Sequence, residues 1–222
     1  MKPRLALFDL DHTLLSGDSD VLWCDFLIAR GLLDRGSFGA RNADMEARYK
    51  AGTVGAQEFA DFYAGTLEGR SPAEWDGLRR EFLQEQVVPR IPPAAMELVD
   101  QHRSAGDLML MTTATSRYLT ELTAAHFGIG HLLATENAVA SGRFTGRTTG
   151  TLNMRAGKVQ RLHAWLAERG QKLADFDSTA YSDSINDLPL LEAVNQPVAV
   201  DPDARLAGIA IERHWPVLHL HR

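Results

Sequence analysis

The run Leu5-Ala6-Leu7-Phe8-Asp9-Leu10-Asp11 constrains this chain more than any other segment. Four consecutive apolar residues make the short unbroken run of a strand buried on both faces, as in a parallel sheet covered by helices. Side chains two positions apart on a strand share a face, so Asp9 and Asp11 emerge together where this strand ends. In open α/β sheets that end is where ligands bind.

Past Leu15 the pattern changes from strand to helix, and the next strand of interest begins only at Leu108. Leu22, Phe26 and Ala29 recur at helical spacing with Gly31 as a stop, and a second helix is expected over 38–50, ending near Gly52. Ser71-Pro72-Ala73-Glu74 is a capping box with proline in the first turn, opening a helix that runs toward Val88. Residues 16–84 therefore read as a helical insertion between core segments 1–15 and 85–222. From Pro92 on, helix and strand alternate. Helices are expected from Pro92-Pro93 to Gly106, over 116–126 with Gly128 as a stop, and over 154–169. Strands are expected over 108–113, 132–135, 178–181, 198–200 and 217–220, with a hairpin over 138–147 turning at Ser141-Gly142. The fold class is α/β, a doubly wound parallel sheet with an inserted α-helical subdomain.

Composition removes several classes of function. At 222 residues the chain can bury a substantial core, and 45% hydrophobic with 23% charged residues is ordinary for a globular domain. A formal net charge of -6 supplies no basic field for nucleic acid, and Arg79-Arg80 reads as a solvated helix face. Cys24 is the only cysteine, which rules out an internal disulfide and a multi-cysteine zinc site. Acids begin at Asp9, too early for a signal-peptide core, and no apolar run nears the roughly 20 residues of a membrane span. The expectation is a cytoplasmic protein with neither nucleic-acid nor membrane partners; oligomeric state is not legible.

Three further segments follow Asp9-Leu10-Asp11-His12-Thr13 in order. The strand Leu108-Met109-Leu110-Met111-Thr112-Thr113 ends in hydroxyl residues, and Lys158 follows Gly157 at a helix start. Tyr181-Ser182-Asp183-Ser184-Ile185-Asn186-Asp187 then holds two acids four residues apart, with asparagine before the second. Together they resemble the four motifs of the haloacid dehalogenase-like hydrolases, over roughly the whole chain. The resemblance implies a Rossmann-like core, and an α-helical cap inserted directly after the first motif is similar to the branch of phosphoserine and histidinol phosphatases.

It further implies a Mg2+-dependent phosphomonoesterase acting through an aspartyl-phosphate. Asp9 would be the nucleophile, since a carboxylate attacking phosphorus in line divides a hard hydrolysis into two displacements. Asp11 would protonate the leaving oxygen and then deprotonate the attacking water. Thr113, followed by Ala114 in a turn leading to a helix, would hold the phosphoryl group, with Thr112 taking its place if the register shifts by one. Lys158 would neutralise phosphoryl charge. Asp9, the backbone carbonyl of Asp11, and Asp183 would ligate Mg2+, a hard cation suited to oxygen donors, with Asn186 and Asp187 behind them. Apart from any resemblance, two unit charges 4 Å apart repel by roughly 4 kcal/mol at an effective dielectric of 20, so these acids need a counterion. By residue type alone, Asp9 and Asp11 also suit a turn, and 183–187 suits a helix N-terminus.

The resemblance implies a small phosphorylated metabolite as the substrate, with an amino-acid or amino-alcohol phosphate such as phosphoserine or histidinol phosphate among the esters expected. Asp18 lies seven positions after Asp11, where phosphoserine phosphatases carry an acid for the substrate amine, but Ser16, Asp18 and Ser19 equally suit the cap of the first helix. The Gly-Gly pair of their second motif stands here as Ala114-Thr115, and no motif places their carboxylate-binding arginine; Arg41 and Arg48 are candidates. A phosphoglucomutase-type phosphotransferase shares the chemistry, whereas a non-catalytic regulatory domain has no need of both Asp9 and Asp11. His12 is expected to face away from the acids, His219 and His221 to lie on the surface, and Cys24 to be a small buried hydrophobe. Trp23, Phe26, Phe59, Phe62 and Tyr63 fit helix packing, with one or two free to face a substrate.

Overall fold

The structure, a computed structural model, describes residues 2–221, of which 49 and 50 are described by backbone alone. Strand β1 (Arg4–Phe8) is the centre of the molecule. Its alternation divides the interior in two: Leu5 and Leu7 enter one apolar cluster, Ala6 and Phe8 the other. Leu7 and Phe8 are fully buried, each worth about 1.5–3 kcal/mol of apolar burial, which is why a continuous apolar run suits this position.

The other strands are β2 (Leu108–Ser116), β3 (His131–Ala140), β4 (Arg143–Thr149), β5 (Asp177–Ser182), β6 (Gln196–Val200) and β7 (Val217–Leu218). They form one seven-stranded sheet ordered β4-β3-β2-β1-β5-β6-β7. Every pairing is parallel except β3 with β4, so the expected parallel sheet carries one antiparallel edge. That edge is the foreseen hairpin: Ser141 and Gly142 have φ of 50° and 74°, the left-handed pair that a tight two-residue turn requires. Chain order departs from β1 in opposite directions, toward β2 on one side and β5 on the other. The C-terminal end of β1 is therefore a topological switch point.

Helices α1 (Ser19–Ala29), α2 (Arg35–Ala51), α3 (Ala56–Ala64) and α4 (Pro72–Phe82) lie between β1 and α5 (Pro93–Ser104); α6 (Arg117–His126), α7 (Ala156–Ala167), α8 (Leu188–Ala193) and α9 (Ala204–Glu212) follow. One sheet face packs on α7, α8 and α9 through Leu162, Leu166, Leu190, Leu191 and Leu206. The opposite face packs on α5 and α6, joined by Trp23 and Leu27 of α1 and by Trp75 and Phe82 of α4. The α2–α3 region instead forms a separate cluster of Met45, Val54, Phe59 and Tyr63 with Cys24 and Met154. The inserted helices thus divide, α1 and α4 sharing the main core while α2 and α3 hang on a smaller one.

The capping box forms in full: Ser71 Oγ accepts from Glu74 N at 3.2 Å while Glu74 Oε2 accepts from Ser71 N at 2.8 Å. After α4 the chain continues through a π turn (Leu83–Val87) and a 3-10 turn (Val88–Arg90), so no linker interrupts it at residue 84. Strand β2 runs three residues beyond the expected Thr113, absorbing Ala114 and Thr115 through a register shift against β3 between Thr112 and Ser116. No described helix is long and apolar enough to cross a membrane.

Candidate active site

The backbone N–H of Asp9 donates to Tyr181 O at 3.0 Å, carrying the β1–β5 ladder one residue past the strand and fixing Asp9 at the switch point. Asp9 Oδ1 lies 2.7 Å from Lys158 Nζ, which lies 2.6 Å from Asp187 Oδ2. Asp187 Oδ2 also accepts from Ser182 Oγ at 2.8 Å. Thr13 Oγ1 sits between two acids, 3.2 Å from Asp9 Oδ2 and 3.0 Å from Asp183 Oδ1, and accepts from Asp183 N at 3.0 Å. Three motifs, the first more than a hundred residues from the other two, thus meet at one end of the sheet.

Lys158 reaches this place because α7 begins tightly against the preceding loop. A Cβ on Gly157 would sit 2.1 Å from Leu152 O, so only glycine fits there. The Lys158 side chain is 3% exposed, and although burial opposes its charge, Asp187 and Asp9 hold it above its ordinary pKa. Burial pushes the Asp9 carboxyl up to about 7; Lys158 opposes the rise, while Asp187 and Asp11 add to it. Asp183 is pushed well above the ordinary carboxylate range by burial, then by Asp9 and Asp187. The like-charge crowding expected from the sequence is thus present, with Lys158 offsetting part of it.

Asp11 lies on the α1 side. Its Oδ1 accepts from Ser19 N at 2.7 Å and Ser19 Oγ at 2.5 Å, and its Oδ2 from Thr113 Oγ1 at 3.0 Å and Thr115 Oγ1 at 2.9 Å. The two candidate threonines separate here. Thr113 reaches Asp11, whereas Thr112 Oγ1 lies 2.9 Å from Asn153 Nδ2. Thr113 is wholly buried and stands behind Asp11; Ala114 and Thr115 face the open volume.

That volume is a cavity of about 540 Å3 over the end of β1, lined by Asp9, Asp11, Asp18, Ala114, Lys158, Asp183, Asn186 and Asp187 among others. Asp18 forms the helix cap and also lines the cavity. Its Oδ1 caps α1, accepting from Asp20 N at 2.9 Å and Val21 N at 3.1 Å, and the residue lines the cavity. Its carboxyl is pushed up to about 7 by burial and by Asp11. Arg41 and Arg48 are not brought to the cavity: Arg41 stacks over the Phe38 and Phe62 rings, and Arg48 pairs with Glu58 at 2.9 Å.

Several lining residues lay beyond sequence reasoning. His221, expected on the surface, lines the cavity, and its Nε2 donates to Thr13 O at 2.9 Å. His12 also lines it. Asp20, Glu46, Asp203 and Arg205 carry no motif signal, while among the described residues Phe59 supplies a phenyl ring to the lining.

These features define a hydrolase class, and the chain belongs to it: the family model of the haloacid dehalogenase-like hydrolases matches residues 6–192. Among relatives, the chain is 41% identical over 218 residues to the histidinol-phosphatase of Neisseria meningitidis, covering 97% of this chain and 98% of that protein. A phosphoserine phosphatase of Mycobacterium tuberculosis is 34% identical over 220 residues, covering 96% of this chain and 69% of that one. In structure, the chain resembles a Bordetella pertussis protein of unknown function at 44% identity and a TM-score of 0.94, covering 99% of this chain and all of the other. A phospho-aspartyl intermediate analogue of phosphoserine phosphatase superposes at a TM-score of 0.71 with 14% identity, covering 100% of this chain and 95% of that one, a likeness of fold.

Proposed function

We propose that the chain is a Mg2+-dependent phosphatase that hydrolyses a small phosphomonoester through an aspartyl-phosphate on Asp9. The observation that carries this reading is the buried Lys158 ammonium held between Asp9 and Asp187 at the end of β1, with Asp183 one hydroxyl away. An oxygen of Asp9 attacks phosphorus while the ester oxygen departs with a proton from Asp11. Asp11 then takes a proton from a water that attacks the acyl-phosphate, releasing inorganic phosphate and restoring Asp9. Lys158 keeps Asp9 in place and offsets charge on the phosphoryl oxygens; Ala114 and Thr115 line the phosphoryl side of the cavity, while Thr113, expected to hold the phosphoryl group, is buried and supports Asp11 from behind instead.

The donor set suits the metal. Asp9 and Asp183 are oxygen donors whose carboxyls are pushed upward first by burial and then by neighbouring acids, Asp187 acting on both and Asp9 on Asp183, the electrostatic condition a divalent cation relieves. Asp9, Asp183 and the Asp11 carbonyl would hold it, with Asn186 and Asp187 behind. When bound, Mg2+ supplies charge stabilisation to the transferring phosphoryl group. Residues 16–84 serve as the cap that excludes water, over core segments 1–15 and 85–222. The names of the relatives point to histidinol phosphate or phosphoserine as the kind of ester taken.

The test is Mg2+-dependent release of inorganic phosphate, which also separates a phosphatase from a phosphotransferase. Folded Asp9→Asn protein should lose turnover by at least about a thousandfold. Turnover within about tenfold of the parent, a barrier change of only about 1.4 kcal/mol, contradicts covalent catalysis at Asp9.

A further inference from the structure

The turn that follows β1 folds onto a single acceptor: the Leu10 carbonyl receives Thr13 N at 3.2 Å, and Leu14 N and Leu15 N at 2.9 Å each. Thr13 is wholly buried, so its own carbonyl also needs a donor. That donor comes from 208 positions away, His221 Nε2 at 2.9 Å, and His221 lines the cavity together with Asp9, Asp11 and Asp183. A carbonyl only accepts, so the imidazole must carry a proton on Nε2. The Thr13 side chain faces the chemistry: its hydroxyl lies 3.2 Å from Asp9 Oδ2 and 3.0 Å from Asp183 Oδ1. Threonine is stiff at χ1, so whatever fixes the Thr13 main chain also fixes that hydroxyl.

We propose that His221 is a positioning residue of this centre: by holding the Thr13 carbonyl it fixes the Thr13 hydroxyl between Asp9 and Asp183, and so sets the spacing of the two carboxylates assigned to Mg2+. This rests on the phosphatase reading above and goes beyond its motif residues. His221 can act so because its own segment is pinned. Asp201 Oδ2 accepts from Leu220 N at 2.8 Å and His221 N at 3.1 Å, Asp201 Oδ1 lies 3.0 Å from His219 Nδ1, and Leu220 is buried in the main core. Asp201 does this at a φ of 39°, a left-handed conformation disfavoured for a residue with a Cβ, kept by its N–H bond to Leu218 O at 2.9 Å. Two residues on, Asp203 braces the other acid: its N–H donates to Asp183 O at 2.8 Å, and its Oδ2 accepts from Ile185 N at 2.8 Å. The loop after β6 thus grips the Asp9–Thr13–Asp183 bridge from both ends, at Asp183 directly and at Thr13 through His221. Partners that orient the ligands of a metal govern its affinity nearly as much as the ligands do.

Calorimetric titration of the substrate-free protein with Mg2+ reads this role apart from turnover, and steady-state hydrolysis of p-nitrophenyl phosphate reads it in turnover. His221→Leu keeps an apolar side chain of some bulk but cannot donate; it should weaken Mg2+ binding by about tenfold and lower kcat by about as much, while KM at saturating Mg2+ stays within about threefold. His221→Gln, whose side-chain amide can donate to the same carbonyl, should stay within about threefold of the parent in Mg2+ affinity and kcat. Mg2+ affinity within about twofold of the parent in His221→Leu overturns the proposal, even if Tm falls, because a purely structural contact behaves that way. Equal losses in the leucine and glutamine variants also overturn it, since the donor would then not matter. If His221→Leu fails to fold, Asp201→Asn decides in its place: Mg2+ binding weakened by about threefold or more supports the brace, and parent-like binding overturns it. A parent that binds no Mg2+ overturns both this proposal and the metal assignment. A folded parent that binds Mg2+ but hydrolyses neither p-nitrophenyl phosphate nor any of a panel of metabolite phosphates refutes the phosphatase reading, and the titration still decides the role of His221.

Discussion

Asn153 shows how much of this site depends on a residue that no motif contains. It is completely buried, and its Nδ2 lies 2.9 Å from each of Thr112 Oγ1, Thr113 O and Leu133 O, while its N–H donates to Thr135 Oγ1 at 3.2 Å. One amide thus ties the loop before α7 to β2 and β3 where their register shifts. Asn153→Ala would leave buried acceptors unmet and a cavity behind, a cost of about 2–4 kcal/mol, and would loosen Thr113 behind Asp11. Denaturant unfolding should show that loss together with a fall in kcat; a stability change below about 0.5 kcal/mol would contradict the role. The motif residues were legible because spacing on one strand or one turn survives folding: Asp9, Asp11, Asp183 and Lys158 meet where the order of motifs implied. Asn153, Asp20 and His221 were not, since their roles arise from partners 40, 95 and 208 positions away. Only the closed fold brings those pairs together.

At the scale of elements, local chemistry accounts for what could be read. The Ser71 capping box, the Ser141-Gly142 turn and the Gly157 contact each depend on neighbours in sequence, and each forms. Helix α3 had no such signal: it begins after Gly55 with no side-chain cap bond. The end of β2 was misjudged for the opposite reason. Thr112, Thr113 and Thr115 favour strand, and the chain keeps that conformation through a bulge instead of turning after Thr113. Two positions apart on the extended chain, Thr113 and Thr115 share a face and both donate to one Asp11 oxygen. The division of the inserted helices between two apolar clusters was likewise hidden, since periodicity reports an apolar face and not what covers it.

For the whole molecule, the site is a concentration of buried carboxyls that costs stability until a cation arrives. Asp9 and Asp18 are pushed up to about 7, and Asp20 and Asp183 well above the ordinary range, mainly by burial. A carboxyl raised in the folded state binds more protons there than when unfolded, so its stabilisation is complete below about pH 4 and is lost as pH rises through the folded value. Metal-free protein should therefore lose Tm between about pH 5 and pH 8, and Mg2+ should raise Tm more at the upper end. A Mg2+ shift that is equal at both pH values, read by calorimetry, would contradict this coupling. The same crowding is what makes Asp9 the centre of the account, and its covalent role can be read directly. Parent protein mixed with saturating substrate and Mg2+, quenched in acid within one turnover and digested, should yield the peptide containing Asp9 heavier by one phosphoryl group, with fragmentation placing that group on Asp9. Phosphate on another residue, or none on a protein that releases phosphate in a burst, would contradict it.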